Sequence, residues 1–524
     1  MPLPDIAQYL EWRKLFEMSK LFIIGLDCAT PQFVFDSWRS DLPNLDRLME
    51  EGIYGELKST IPPITVPAWT SMLSSKDPGQ LGFYGFRNRK SYHYEELYFA
   101  NASYIKEKMV WNYLEGAGLT SILIGVPQTF PPKPLRGIIV GSFLTPDKSA
   151  DYTYPRMVKE ELDRIADGDY IIDVENFRTE DKDWLLNQIY VMTERRFKVV
   201  RHYLNREPWD FFMFVEMGID RIHHGFWRYQ DQDHRLYEHE GKYKNAIKEY
   251  YRYVDREIGY ILEDLSADTD VMVVSDHGAK KMDGGICIND WLIQRGYLNL
   301  NVSLNKPTKL KTNMIDWGKT RVWGEGGYYC RIFLNVQGRE PQGLLPASEY
   351  ETFRDQLKKE LESLGDEKGR PIGTRVFKPE EIYRSVKNIP PDLIVYFGDL
   401  NWRSAGTVGN KTIHIFENDI GPDDANHAEH GIFIFKTDQA RLGEAGLIPG
   451  KKVEGLSVYN IAPTILDLFG LPIPSDMIGT SIFKGETARM EKFGSDKESM
   501  GQGEDYSEEE KEHIRKHLED LGYL

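Results

Sequence analysis

The sequence predicts an α/β protein: a mostly parallel central sheet with helices on both faces, plus a smaller inserted cap subdomain. Three observations predict it. Continuous apolar runs of strand length recur along the chain, several closed by aspartate or glycine, and such runs suit strands buried on both faces. Stretches that are amphipathic at helical spacing lie between them. After about residue 283 the alternation yields to Gly-, Lys- and polar-rich sequence with short strand candidates.

Taken in order, "KLFIIGLD" (20–27) is the first strand, closed by Asp27. "LPNLDRLMEEG" reads as a helix stopped at Gly52. Next comes "STIPPITVPAWTSMLSS", in which Pro62, Pro63 and Pro67 surround Thr65. Those prolines fix φ and remove backbone donors, so the segment cannot join a sheet interior. "AWTSMLSS" then begins a helix, with Pro67 at the start where proline is tolerated. "TSILIGVP" (120–127), "GIIVGSF" (137–143), "DFFMFVEMG" (210–218) and "TDVMVVSDHG" (269–278) repeat the strand pattern. The helical stretches "DWLLNQIYVMTERRFKVVRHYL" and "NAIKEYYRYVDREIGYILEDL" separate the later ones. The insertion is expected at about 285–375, after which "PDLIVYF" (391–397) and "GIFIF" (431–435) mark a return to the core sheet, followed by the helix "SVYNIAPTILDLFG". Residues 1–19 read as an N-terminal extension, 20–480 as the main domain, and 481–524 as a linker and terminal surface helix opened by a capping box, Ser507 to Glu510.

Composition narrows the function. Hydrophobic residues make up 41% and charged residues 28% of the 524, as in an ordinary soluble globular protein. A net charge of −17 argues against a nucleic-acid polymer or an anionic membrane surface as partner. A phosphate-bearing small molecule is still admitted, because a bound cation can reverse the sign locally. Cys28, Cys287 and Cys330 lie far apart without CxxC spacing, which points to a reducing compartment. The N-terminus "MPLPDIAQYLEWRKLFEMSK" has no apolar h-region, so the expected location is cytoplasmic. The oligomeric state is not readable from the sequence.

In open α/β sheets, ligands gather beyond the carboxyl ends of the strands. Asp27 ends the first strand, Asp220 and His224 follow "FFMFVEM", Asp276 and His277 end "VMVVS", and His427 and His430 precede "GIFIF". Singly, each is explained by a turn cap or a surface hydrogen bond. Together, three aspartates and three histidines at neighbouring strand ends form the mixed oxygen and nitrogen donor set suited to zinc, and also to manganese or iron. Six such ligands suffice for two metals that keep positions open for substrate. On a helix, Asp220 and His224 at i, i+4 share one face. Asp276 and His277, being adjacent, converge only on an irregular turn, which Gly278 permits.

The pieces "IIGLD", "TVPAWTSM", "GIDRIHHGF", "VVSDHG", "INDWLIQRGYL", "PDLIVYF", "NHAEHGIFIF" and "NIAPTILDLFGLPIPSDMIGTSI" resemble the alkaline phosphatase superfamily, in its type I phosphodiesterase/nucleotide pyrophosphatase branch. The resemblance spans about residues 20–480 and implies an alkaline phosphatase-like core with a two-metal site, zinc first and manganese second. It implies that Asp27, Thr65, Asp276 and His277 bind one metal and that Asp220, His224 and a late histidine bind the other. His427 is preferred for that place over His430. Thr65 would be the nucleophile and pass through a phosphothreonine, hydrolysing a small phosphate ester or nucleotide. A phosphomonoesterase, or a phosphoryl transferase or mutase, is the alternative on the same core; a non-catalytic binding module is a further one. Ala68 stands where family members carry an asparagine, leaving metals and backbone N–H groups to hold the phosphoryl charge. Arg87, Arg89 and His223 are candidate substrate contacts, with a packed loop as the competing reading for the arginines.

Overall fold

The computed structural model describes residues 20–239, 241–419, 421–483 and 506–523. The expected N-terminal extension and most of the expected linker lie outside them. The main sheet has eight strands: β1 (Lys20–Leu26), β2 (Ile53–Lys58), β3 (Ser121–Ile124), β4 (Gly137–Val140), β5 (Thr153–Tyr154), β6 (Phe211–Glu216), β7 (Thr269–Val274) and β8 (His430–Lys436). Their spatial order is β2-β8-β7-β1-β6-β3-β4-β5. The run β7-β1-β6-β3-β4 is parallel throughout, while β8 lies antiparallel between β7 and β2, and β5 is antiparallel to β4. β1, β6 and β7 are buried almost end to end, as their unbroken apolar sequences require of strands covered on both faces.

The helices that bear on the site are α1 (Pro43–Glu51), α2 (Thr65–Ser74), α3 (Lys182–Arg206), α4 (Gly218–Gln230), α5 (Ala246–Asp264), α6 (Ile461–Leu468) and α7 (Glu508–Asp520). α3, α4 and α5 pack on one another, so α4 is buried around most of its circumference.

This topology delivers the site. β1 lies between β6 and β7, so the segments leaving all three carry Asp27, Asp220 and Asp276 out at the same edge. β8 runs the opposite way, and the segment entering it, with His427, reaches that edge too. β2 is antiparallel to β8 and therefore also ends there, feeding Thr65 at the start of α2.

A second hydrophobic cluster, from Ile286 to Trp402, surrounds a four-stranded antiparallel sheet. Its strands are Val322–Glu325, Cys330–Leu334, Leu393–Tyr396 and Arg375–Phe377 in spatial order. Here one expectation is corrected. "PDLIVYF" does not return to the main sheet; Leu393–Tyr396 pairs with Cys330–Leu334 and Arg375–Phe377. An apolar run states that a strand is buried, not which sheet buries it. The capping box of α7 is present in both directions, Ser507 Oγ accepting from Glu510 N at 3.2 Å and Glu510 Oε2 from Ser507 N at 2.7 Å. The helix is nevertheless more than a surface element, because its Ile514 and Leu518, with Leu521 and Tyr523 just beyond it, join the main core.

Candidate active site

Three carboxylates converge, and each is tethered through one oxygen. Trp69 Nε1, one turn into α2, donates to Asp27 Oδ2 at 2.7 Å. The backbone N–H of Cys28, a residue with φ of 65°, reaches Asp276 Oδ1 at 3.3 Å. Arg221 bonds Asp220 Oδ2 and is itself gripped at both ends of its fork by Asp173, at 3.0 and 2.6 Å. The other oxygen of each, Asp27 Oδ1, Asp220 Oδ1 and Asp276 Oδ2, is buried and has no hydrogen-bond partner among the described residues.

The three imidazoles obey the same logic. His224 meets Asp423 Oδ1 through Nδ1 at 2.8 Å. His427 Nδ1 lies 2.8 Å from the carbonyl of Pro63, so the stiff proline segment before Thr65 also orients a histidine. His277 Nδ1 is 3.2 Å from the Gly278 carbonyl. A carbonyl accepts only from an N–H, so in His277 and His427 the proton sits on Nδ1 and Nε2 is left with its lone pair. His277 Nε2 lies 3.1 Å from Asp276 Oδ2 and 3.9 Å from Asp27 Oδ1. The Nε2 atoms of His224 and His427 lie 3.3 and 3.7 Å from Asp220 Oδ1. The irregular turn between β7 and the strand Gly278–Lys281 makes the first of these possible, and Ala279 pairs with His427 across an antiparallel ladder. The His277 and His427 rings consequently stack at 3.8 Å.

Two ligand-like groups result, Asp27 with Asp276 and His277, and Asp220 with His277 and His427, each with candidate atoms within 4.8 Å of one another. His224 joins the second through Asp220, sharing one face of α4 at i, i+4. Six buried donors with one inward atom apiece fit divalent cations, since unpaired polar atoms at such depth are costly. Thr65 opens α2, its Oγ1 is 3.5 Å from His277 Nε2, and the first intrahelical bond after it is Ala68 N to the Ile64 carbonyl at 2.9 Å. The N–H groups of Thr65 and Val66 therefore precede the helical ladder.

The electrostatics report the same crowding. Burial, then the Asp220 charge, pushes the Asp27 carboxyl well up. Burial, then Asp27, does the same to Asp276. Asp220 goes the other way: burial acts on it most strongly and upward, but His224, Arg221 and His427 together hold it well below the usual carboxylate range. Burial pulls His224 down, yet Asp423 and Asp220 outweigh it and raise the ring to about 9. Burial lowers His427 to about 4, and burial and His427 lower His277.

The remaining candidates go elsewhere. His430 is exposed, at the outer end of β8. His223 faces Tyr251 Oη at 3.2 Å and packs against Trp227 and Phe33. Burial drops it to about 3, as befits a core imidazole. Arg87 and Arg89, read as possible phosphate grips, point at carboxylates of the second subdomain. Arg87 pairs with Glu325 at 3.2 Å and Arg89 with Glu340 at 3.1 Å. The packed-loop reading describes both. Several residues around the site gave no signal in sequence: Trp69, Asp173, Arg221, Tyr328 and Asp423. Asp423 precedes His427 by four residues, and Arg221 is adjacent to Asp220; their proximity to metal-ligand candidates was the only clue.

Residues 21–432 match the type I phosphodiesterase / nucleotide pyrophosphatase family. A comparison with curated proteins finds no match. Among solved structures, murine ectonucleotide pyrophosphatase / phosphodiesterase 5 superposes with a TM-score of 0.50 at 12% identity, covering 86% of this chain and 95% of that one. The human protein of the same name gives 0.50 at 11%, covering 88% and 97%. An inactive variant of the murine protein in complex with AMP gives 0.50 at 11%, covering 86% and 95%. At these identities the likeness speaks to the fold, and the family match carries the rest: the chain belongs to the type I phosphodiesterase / nucleotide pyrophosphatase family and is a hydrolase of phosphoester bonds.

Proposed function

We propose that the protein hydrolyses phosphodiester or pyrophosphate bonds of small phosphate esters, nucleotides among them, through Thr65 as nucleophile at a site for two divalent cations. The observation that carries this reading is the division of labour among the six ligand candidates, each tethered through one polar atom and turning another toward one of two adjoining groups that share His277, the residue beside Thr65. Asp27, Asp276, His277 and Thr65 would hold one cation, and Asp220, His224 and His427 the other. Carboxylate and imidazole donors favour zinc, with manganese as the second choice. Cations bound there supply positive charge that polarises a phosphoryl group and lowers the pKa of a coordinated hydroxyl.

The chain's own residues do the remainder. Pro63 and Pro67 fix the backbone on either side of Thr65, so that little motion is lost when Oγ1 lines up for attack. Oγ1 gives up its proton to water and bonds to phosphorus as the bond to the leaving oxygen breaks, and that oxygen takes up a proton from water. A second water then attacks phosphorus, the Thr65 Oγ1–P bond breaks, and Oγ1 regains its proton. The N–H groups at the start of α2 sit where phosphoryl oxygens gain most from donors. The complex of the murine relative's inactive variant with AMP favours a nucleotide among the candidates. The three unpaired, buried cysteines accord with a cytoplasmic setting, which belongs to the same proposal.

The test is direct. Purified protein should carry close to two equivalents of zinc or manganese and cleave bis-p-nitrophenyl phosphate. Thr65→Ala should abolish cleavage while retaining most of the metal, and a variant rate equal to the parent's would dismiss the nucleophile assignment. Running monoester, diester and nucleoside triphosphate side by side separates the phosphodiesterase reading from a phosphomonoesterase.

A further inference from the structure

Among the described residues the candidate site is closed. Thr65 and its six neighbours are between 0 and 2% exposed. The cavity beside them, lined by Ile64, Phe86, Gly327, Tyr328, Tyr329 and Tyr523, measures about 10 Å³, room for one water at most. No phosphate ester reaches Thr65 through such a space.

The closing piece is the chain's own C-terminal segment. Beyond α7 the backbone turns inward at Gly522, whose φ of +88° and position against Arg178 leave no room for a side chain: a Cβ there would lie 1.9 Å from Arg178 Nη2. The carbonyl of Leu521 accepts from Tyr328 Oη at 2.9 Å and from Arg178 Nη2 at 3.0 Å. Those two donors also hold Asp423, at 3.0 and 2.6 Å, the carboxylate behind His224. The Tyr523 ring is then lodged against Phe86, Tyr328 and His427, with centroids 4.1, 5.2 and 6.1 Å away. Upstream, His517 Nε2 sits 3.2 Å from Asp173 Oδ2, and Tyr506 Oη donates to the Leu144 carbonyl at 3.0 Å. The segment thus touches the supports of Asp220 and His224 as well as the mouth of the site.

One feature makes this seat easy to leave. The Tyr523 hydroxyl is buried with no hydrogen-bond partner among the described residues. A phenol left unpaired at that depth weakens the closed state, and release returns it to water.

We propose that residues 506–523 form a self-inhibiting strap, which covers the site and must lift before a phosphate ester reaches Thr65; this rests on the reading of that site as the hydrolytic centre. Substrate then binds only the lifted fraction, and apparent efficiency is reduced by that fraction.

The experiment compares the full chain with one ended after Asp505, both loaded with zinc. A strap seated more than nine-tenths of the time predicts at least a tenfold gain in kcat/KM for bis-p-nitrophenyl phosphate on its removal. It also predicts at least a tenfold faster loss of zinc to a chromogenic chelator, a reading that needs no turnover. Equal stripping rates, or a kcat/KM that is unchanged or lower, overturn the strap. If neither chain hydrolyses any phosphate ester, the hydrolytic assignment falls while the stripping rates still decide whether the segment covers the site. Should the shortened chain not fold, Gly522→Val in the full chain unseats the strap by steric means and is held to the same two outcomes.

Discussion

At the scale of single residues, the site is built on tethers. A carboxylate has two oxygens and an imidazole two nitrogens, so a side chain that is to bind a cation can be oriented through one atom while offering the other. The strand-end aspartates and His427 in "DANHAEH" could be singled out because their types and places are restrictive. Their tethers were not, since nothing local couples Trp69 to Asp27 or Pro63 to His427. Arg87 and Arg89 left two readings open for a related reason: an arginine near a site in sequence carries no mark of which acid it will meet. Asp423, behind His224, makes the sharpest prediction here. Asp423→Ala should weaken zinc binding by about 10- to 100-fold, read by chelator competition, and an unchanged affinity would remove Asp423 from the site. The proton balance sets the pH dependence. Asp27 and Asp276 are raised by burial and by like charge, and His224 is raised to about 9, so each binds protons more tightly than usual in the metal-free protein and must release them to accept a cation. Zinc affinity should therefore climb as the pH rises toward about 9, where His224 gives up its proton. A flat profile would mean that these groups are not ligands.

At the scale of elements, the site exists because parallel neighbours end together. β1, β6 and β7 were readable from apolar continuity alone, and their shared edge follows from the parallel pairing. "PDLIVYF" shows the limit of that reading, because an equally apolar run went to the second sheet. Close packing behind the site is testable on β1. A Cβ added at Gly25 would meet Val215 Cγ2 at 2.7 Å and Trp69 Cη2 at 2.8 Å, and Trp69 is the tether of Asp27. Gly25→Ala should lower unfolding stability by about 1–3 kcal/mol, measured in urea, and should reduce turnover by displacing the indole. Full activity at parental stability would show that the indole does not depend on this packing.

At the scale of the whole molecule, distant parts of the chain meet around one threonine: the edge of the main sheet, Tyr328 from the second subdomain, and the C-terminal segment. A capping box announced α7 but could not state what the helix would cover, because its apolar positions are generic and the surface they bury is assembled from residues hundreds of positions away. The chemistry at Thr65 decides the rest, and its covalent intermediate can be trapped. Protein mixed with excess nucleotide or diester and zinc is quenched in acid during turnover, digested, and mapped by mass spectrometry. The predicted result is a phosphoryl group, still carrying the substrate's remaining ester substituent, on the peptide that carries Thr65, and its absence from the Thr65→Ala variant. Sustained turnover with Thr65 never modified, or with that group trapped on another residue, would contradict it.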